Sequence, residues 1–340
     1  MHITILGGGG FLGRKVASEL ARTGALAGRP VSSLTLFDLN EPAPLKAPFP
    51  VNCLAGDIVA LPAAAIPPGT DVIFHLAAVV SAQAEADYEL GRRVNLRGTD
   101  AVVDACRRLV SAGGKPPRVV FTSSVASFSG GQGANLADDA RQVPANSYGA
   151  QKAAAELILA DASRRGFMDT VSLRLPTVIV RPGRPNKAAS SFFSAIIREP
   201  LLGLATELPV GDDFAAWICS PRAATAWLLH AAAFDTGGLG FDRGINPPGM
   251  CVTVAQLLDA LETMQPGAAA LVRRVPDPEI AAIVGSWPAR FHPRRAAELG
   301  FAPHQPVAEL IRAFIADDLA ATARDRGIAI QQQSASGTPD

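Results

Sequence analysis

Near the start of the chain stands Gly7-Gly8-Gly9-Gly10-Phe11-Leu12-Gly13, between an apolar run at residues 2–6 and a segment of helical periodicity at residues 11–23. Glycine permits a tight turn and lets backbone amides approach a ligand, and the free amides at a helix start attract phosphate groups. A flexible glycine loop is the plain alternative. The order of strand, turn and helix favours a dinucleotide site made by Gly7, Gly10, Phe11, Leu12 and Gly13.

Short apolar runs alternate with helical segments through the first half of the chain. The runs are apolar throughout, which is typical of strands buried on both faces of a parallel sheet. The alternation predicts an α/β fold, a Rossmann-type doubly wound parallel sheet. The predicted strands cover residues 2–6, 34–37, 51–54, 72–75, 118–122 and 171–175, and the predicted helices cover residues 11–23, 85–112 and 148–165.

After Pro176 prolines and glycines become frequent and separate shorter helical segments. We therefore divide the chain into a dinucleotide-binding domain over residues 1–176 and a smaller substrate-binding lobe over residues 177–330, which crosses back to the sheet. The polar residues 331–340 are expected to be disordered. The predicted lobe helices lie near residues 190–197, 223–233, 254–264 and 307–323.

The composition narrows the class of protein. The 31 basic and 31 acidic residues balance, which argues against nucleic acid or an anionic membrane as partner. No run reaches the ~18 apolar residues of a membrane span. The five histidines lack metal-ligand spacing, so no metal is expected. Cys53, Cys106, Cys219 and Cys251 lie far apart, which predicts buried thiols, and we expect a soluble, cytoplasmic protein.

Acidic residues follow the second and third predicted strands. Asp38 can accept hydrogen bonds from the adenosine ribose and repel the extra phosphate of NADP, and no arginine follows it in Leu39-Asn40-Glu41. The predicted cofactor is therefore NAD, with a solvated loop aspartate as the alternative. Asp57 and Ile58 are predicted to cap the adenine, unless Asp57 is an ordinary turn residue.

Tyr148 and Lys152 lie four positions apart on a predicted helix, and so one turn apart on the same face. A phenol of pKa ~10 is a poor base, but a neighbouring ammonium lowers that pKa, and the same lysine can hydrogen-bond the nicotinamide ribose. The spacing alone occurs by chance in many helices. Here it follows a strand ending in Thr122-Ser123-Ser124, where a serine can hydrogen-bond the reacting oxygen.

In their order and spacing these motifs, with His75-Leu76-Ala77-Ala78 and Asn95, resemble the extended short-chain dehydrogenases/reductases of the NAD-dependent epimerase/dehydratase family. The resemblance covers roughly residues 1–230. It implies a catalytic triad of Ser124, Tyr148 and Lys152. It further implies that Ala77, Ala78 and Val178 contact the cofactor, that Asn95 holds structure or a water near the site, and that His75 is a packed strand-end residue.

Two departures argue against the nucleotide-linked sugars on which most members of this family act. Thr177 stands where those enzymes often carry asparagine, and Ala215 stands where they carry an arginine that can bind a phosphate through two hydrogen bonds. A nucleotide-sugar epimerase or dehydratase stays open as the alternative. A non-catalytic NAD-sensing protein is a more remote one.

A cationic loop, Arg181-Pro182-Gly183-Arg184-Pro185-Asn186-Lys187, is either a solvated connector or a clamp for one small carboxylate. It resembles the loop of a family branch that oxidises four-carbon sugar acids at C2, which implies a 2-oxo product and Tyr148 as the base. The candidate substrate contacts are Ser81, Ser124, Tyr148, Arg181, Asn186 and Trp217. Trp217 is equally well placed to be lobe core. By the same resemblance, the helices near residues 101–112 and 148–165 could join two copies in a homodimer.

Overall fold

The strands form one large sheet and several small ones. The computed structural model describes residues 1–131, 135–184 and 189–329. Its strands are β1 (His2–Leu6), β2 (Ala25–Leu26), β3 (Arg29–Pro30), β4 (Ser33–Asp38), β5 (Val51–Ala55), β6 (Thr70–His75), β7 (Arg118–Ser124), β8 (Asn135–Ala137), β9 (Asp169–Leu175), β10 (Thr177–Val178), β11 (Thr206–Leu208), β12 (Ala215–Cys219), β13 (Gly244–Ile245), β14 (Met250–Thr253), β15 (Val272–Arg274) and β16 (Arg290–His292).

The central sheet has seven parallel strands in the order β13-β9-β7-β6-β1-β4-β5. From β1 the chain proceeds outward to β4 and β5, and then returns to β6 on the other side of β1. Ligands of such sheets bind where the order reverses, outside the carboxyl ends of the strands. The predicted doubly wound parallel sheet is confirmed, and each of the six predicted strands belongs to it.

The helices cover the sheet and build the lobe. They are α1 (Phe11–Thr23), α2 (Ser81–Ala86), α3 (Tyr88–Arg92), α4 (Gly98–Ser111), α5 (Ser147–Arg164), α6 (Ser191–Leu201), α7 (Pro221–Ala231), α8 (Val254–Met264), α9 (Pro278–Gly285), α10 (Arg294–Glu298), α11 (Val307–Phe314) and α12 (Ala320–Arg326). Short 3-10 turns lie at Ile58–Ala60, Ala63–Ala65, Val125–Phe128 and Ala269–Leu271, and π-helical turns at Arg93–Arg97 and Ile315–Leu319.

The prediction of one helix over residues 85–112 is wrong. The chain leaves helical geometry at Asp87 (φ −131°, ψ 87°), whose carboxylate accepts a hydrogen bond from the Leu90 amide and so starts a new helix. A π-helical turn then joins α3 to α4. Asn95 lies within this turn, facing the segment that follows β6.

The lobe has its own apolar core, built mainly from α6, α8 and α11. Helix α7 instead packs its buried side chains with those of the central sheet, and β13 pairs with β9. The chain therefore crosses back to the sheet, and the division into two domains stays a prediction. The predicted tail, residues 331–340, lies outside the described residues.

All four cysteines are free, but only Cys106 and Cys219 are buried, while Cys53 and Cys251 are half-buried. The prediction of four buried thiols is therefore wrong for two of them, because β5 and β14 leave those side chains partly open to solvent. Within the described ranges, no helix is long and apolar enough to cross a membrane. On α5 the side chain of Leu157 is 72% exposed, and the homodimer through this helix stays a prediction.

Candidate active site

A cavity of about 360 Å³ lies along the carboxyl edge of the central sheet. The turn after β1, the segments after β6, β7 and β9, and the first turns of α5 form its walls together with side chains of the lobe. The structure thus brings together most of the residues predicted to act. Those that line the cavity are Gly7, Gly10, Phe11, Leu12, Gly13, Ala78, Ser81, Ser124, Tyr148, Lys152, Val178 and Arg181.

The glycine turn forms a cradle with room for backbone only. Gly7 has a φ of +89°, and a Cβ on Gly13 would lie 2.1 Å from the carbonyl oxygen of Gly7. No side chain caps the helix at Gly10, and no acidic residue stands in the first turn of α1. The amides at this helix start are therefore available to an anion, and the turn fits the diphosphate of a dinucleotide.

Asp38, at the end of β4, bends over the same turn. Its carboxylate accepts hydrogen bonds from the Gly9 amide at 3.0 Å and from the Leu39 amide at 2.7 Å. The side chain is half-buried and does not line the large cavity. It therefore supports the turn while its charge stands beside the glycines, at the position predicted for the adenosine ribose.

Removing the charge of Asp38 is expected to relax the preference for NAD over NADP. Asp38→Asn removes the negative charge, so the ratio of kcat/KM for NAD to kcat/KM for NADP should fall by at least ~10-fold. The new side-chain amide oxygen can still accept from the Gly9 amide, so NAD binding should change little. Asp38→Ala should lose the turn support as well and bind NAD more weakly. Equal kcat/KM for both cofactors in the unmutated enzyme would contradict the assigned role.

Asp57 and Ile58 are held by the protein itself. The Asp57 carboxylate caps a 3-10 turn by accepting a hydrogen bond from the Val59 amide at 3.0 Å, and it also pairs with Arg93. Both contacts lower the pKa of Asp57, and the hydrogen bond from Val59 has the larger effect. Ile58 is buried under α4, against Gly98. Neither residue lines the large cavity. Their contact with adenine therefore stays a prediction.

Asn95 ties the segment after β6 to α5, the helix of Tyr148 and Lys152. It is 3% exposed; its Oδ1 accepts from the Val79 amide at 2.9 Å, and its Nδ2 donates to Gln151 on α5 at 2.7 Å. The resemblance implied such a structural role. Ala77 lies at the back of the glycine turn, since a Cβ on Gly7 would lie 2.7 Å from the Ala77 amide nitrogen.

Tyr148 and Lys152 stand one turn apart at the start of α5, which Asn146 caps through the Gly149 amide. The Lys152 ammonium donates to the carbonyl of Thr122 at 2.7 Å and lies 5.6 Å from the centroid of the Tyr148 ring. The side chain of Ser124 hydrogen-bonds that of Tyr148. The three residues predicted to form the triad therefore meet at one wall of the cavity.

The pKa of Tyr148 does not follow the sequence argument. Burial raises it to about 12, while the charge of Arg181 and the hydrogen bond from Ser124 pull it down. Burial also lowers the pKa of Lys152 to about 7, against the opposing effect of the Glu156 carboxylate. The lysine was predicted to lower the pKa of the tyrosine, but desolvation dominates both groups, and the cation that lowers the pKa of Tyr148 is Arg181.

A buried ion pair joins α5 to β9. Glu156, 5% exposed, accepts from the Arg174 guanidinium at 2.9 and 3.0 Å and from Gln142 at 2.9 Å, and it also accepts from Ser123. The sequence analysis did not single out Glu156. Its position one turn after Lys152 was the available signal. His75, packed at the end of β6, is 1% exposed, and burial lowers its pKa to about 3, as expected of a packed residue.

Helix α6 holds Arg181 at the cavity wall. The Arg181 amide donates to Ser194 at 3.0 Å, its carbonyl accepts from Arg198 at 2.7 Å, and its Nε donates to the Val178 carbonyl at 3.0 Å. Ser190, just before α6, also lines the cavity. Ser190, Ser194 and Arg198 stand four positions apart and therefore lie along one face of the helix. This spacing was a readable signal that the sequence analysis missed.

The other residues predicted to contact the substrate do not line the cavity or lie outside the described residues. Trp217 is 7% exposed and packs with Val125, Phe128, Leu136 and Phe291, so the core alternative holds and the tryptophan at the cavity is Trp287. Arg184 is exposed, and Asn186 and Lys187 lie outside the described residues. No local signal marked Trp287, which follows the short helix α9 far along the chain.

Comparison with known proteins identifies the family. The model of the NAD dependent epimerase/dehydratase family matches residues 3–226. The chain belongs to this family. The resemblance inferred from the glycine turn and the Tyr148–Lys152 pair is confirmed.

Two curated relatives extend the likeness to nearly the whole chain. A D-erythronate dehydrogenase of Cupriavidus necator is 45% identical over 324 residues, covering 93% of this chain and 98% of the relative. A D-erythronate dehydrogenase of Haemophilus influenzae is 38% identical over 330 residues, covering 94% and 100%. With the family match they show an NAD-dependent dehydrogenase, as predicted.

A solved structure described as a nucleoside-diphosphate-sugar epimerase of Agrobacterium tumefaciens has the same fold. Its TM-score is 0.88 at 41% identity, and the match covers 97% of this chain and 96% of that one. The predicted fold class is confirmed by this likeness.

Proposed function

We propose that this enzyme oxidises a small sugar acid at C2, with D-erythronate as substrate and 2-oxo-tetronate as product. The proposal rests on the position of Arg181. Helix α6 holds this cation at the wall of the cavity, and Tyr148 lines the same cavity. A guanidinium matches the planar fork of a carboxylate. The names of the two dehydrogenase relatives support the same substrate.

Four residues of the chain act on the substrate in this proposal. Tyr148, as phenolate, removes the proton of the C2 hydroxyl while the C2–H bond breaks and the C=O bond forms. Ser124 orients the reacting oxygen, and Ser81 is a second contact. Arg181 binds the carboxylate, and its charge favours the phenolate.

Bound NAD supplies the acceptor for the hydride that leaves C2. We propose that the glycine turn holds its diphosphate, that Asp38 holds the adenosine ribose and that Asp57 and Ile58 border the adenine. Lys152 would donate to the nicotinamide ribose, with Ala77, Ala78 and Val178 along the cofactor. The uncapped amides at the start of α1 support this arrangement.

A nucleotide-sugar epimerase is the second candidate, favoured by the description of the Agrobacterium tumefaciens structure. It requires a site for a diphosphate beyond the catalytic pair. Ala215 faces a separate small void rather than the large cavity, and the other residues of that void are uncharged. Arg181 is therefore the cation best placed to bind substrate, and a single carboxylate suits it.

Replacing Arg181 tests the substrate class. Arg181→Ala should raise KM for D-erythronate by roughly 10- to 100-fold, the usual effect of losing a hydrogen bond to a charged group, and leave KM for NAD unchanged. Arg181→Lys should recover only part of this, because a point charge does not reproduce the fork. Initial rates of NADH formation give both constants.

Arg184→Ala is the matched control, since Arg184 belongs to the same loop and is exposed. It should change neither constant. Erythritol, which lacks the carboxylate, should not be oxidised, because the buried donors of the site would be left unpaired. Tight binding of UDP-sugars, with no NADH formed from any sugar acid, would favour the epimerase instead.

A further inference from the structure

A second, much smaller void lies behind the wall of the catalytic cavity. It measures about 10 Å³, about the space of one water probe, and the lobe lines most of it, including Phe193, Phe214 and Ala216. Three residues line both spaces, namely Val125, Thr177 and Trp287. They form the partition between the cavity and the void.

Trp287 is the bulk of that partition. Its backbone amide donates to Val284 at 3.1 Å, Pro288 follows it, and its side chain packs against the apolar core of the lobe. The indole Nε1 is hidden from solvent and has no hydrogen-bond partner among the described residues. The ring is therefore held by packing, with its polar atom turned away from the open cavity.

We infer that Trp287 determines substrate specificity, by ending the cavity where a short sugar acid ends. The inference rests on the proposed function. A longer acid with its carboxylate on Arg181 and its C2 at Tyr148 would need space that the indole fills. The void behind the ring is too small to receive another carbon with its hydroxyl, whereas removing the ring would join the void to the cavity.

The test is the length of acid that the enzyme prefers. Trp287→Ala should raise kcat/KM for five- and six-carbon sugar acids relative to D-erythronate by at least ~10-fold, the lower end of the discrimination a pocket wall gives per carbon. Trp287→Phe removes no hydrogen bond and less volume, so it should fold like the parent and shift the ratio less. KM for NAD should stay unchanged in both variants.

Trp227→Phe is the control, because Trp227 is buried in the core that α7 forms with the central sheet. Its indole donates to the Ala302 carbonyl at 2.8 Å. It should lower Tm without changing the preference for length. An unchanged ratio of long to short acids in both Trp287 variants, with D-erythronate still oxidised, would overturn the inference alone. Failure of the unmutated enzyme to oxidise any sugar acid would overturn the proposed function and this inference together.

Discussion

Replacing Tyr148 by phenylalanine is expected to lower kcat by at least ~100-fold, the usual effect of losing a general base. The ring that lines the cavity remains, so KM for NAD and the shape of the site should be preserved. Only the ionisable oxygen, which Ser124 and the charge of Arg181 make more acidic, is lost. Single-turnover NADH formation at saturating NAD measures the change directly.

The chain offers a matched control in its other tyrosine, Tyr88, which is 55% exposed on α3. Tyr88→Phe should keep full turnover. Turnover retained in Tyr148→Phe would assign the base to another residue. Intact cofactor binding, followed by fluorescence of NADH, would separate loss of the base from loss of the fold.

The proposed proton transfer to Tyr148 should also set the pH dependence of the unmutated enzyme. Because burial raises the pKa of Tyr148, the phenolate is scarce at low pH, and kcat should rise with pH until Lys152, whose pKa is about 7, loses its charge. Arg181→Ala removes a charge that lowers this pKa, so its rising limb should move to higher pH. A profile that falls as pH rises towards the pKa of Lys152, about 7, would contradict Tyr148 as base.

Replacing Lys152 by methionine is expected to reduce turnover by ~100-fold or more and at the same time raise Tm. Lys152 is 2% exposed, and burial lowers its pKa from 10.5 to about 7. The folded protein thus disfavours the charge that the proposed mechanism uses. A shift of this size corresponds to roughly 5 kcal/mol at most, reduced because the Thr122 carbonyl then loses its donor. A gain in Tm of roughly 2–5 °C is expected.

The gain should depend on pH in a defined direction. Above the unfolded pKa of 10.5 the lysine is neutral in both states and costs nothing. As pH falls towards 7 the unfolded chain takes up the proton first, so the difference in Tm between the variant and the parent should grow and then level off below 7. Lys115→Met, at an exposed position, should show no such trend. A constant difference across this range would refute the buried-charge account.

The features that depend only on short segments of the chain could be predicted from the sequence. The glycine turn, the uniformly apolar strands and the four-residue spacing of Tyr148 and Lys152 are constraints on short segments. The structure has each of them within a few residues of its predicted position. Backbone sterics and side-chain periodicity act over one turn or one strand, so no distant partner is needed to interpret them.

Contacts between distant segments decided the rest. Asp87 could start a helix only where the preceding turn ended. The lobe packs Trp217 into a core and places Trp287, which the sequence analysis did not name, on the cavity. The pKa values of Tyr148 and Lys152 depend on burial, which strands and helices from the whole chain create together. Desolvation is a property of the packed interior, and no spacing along the chain records it.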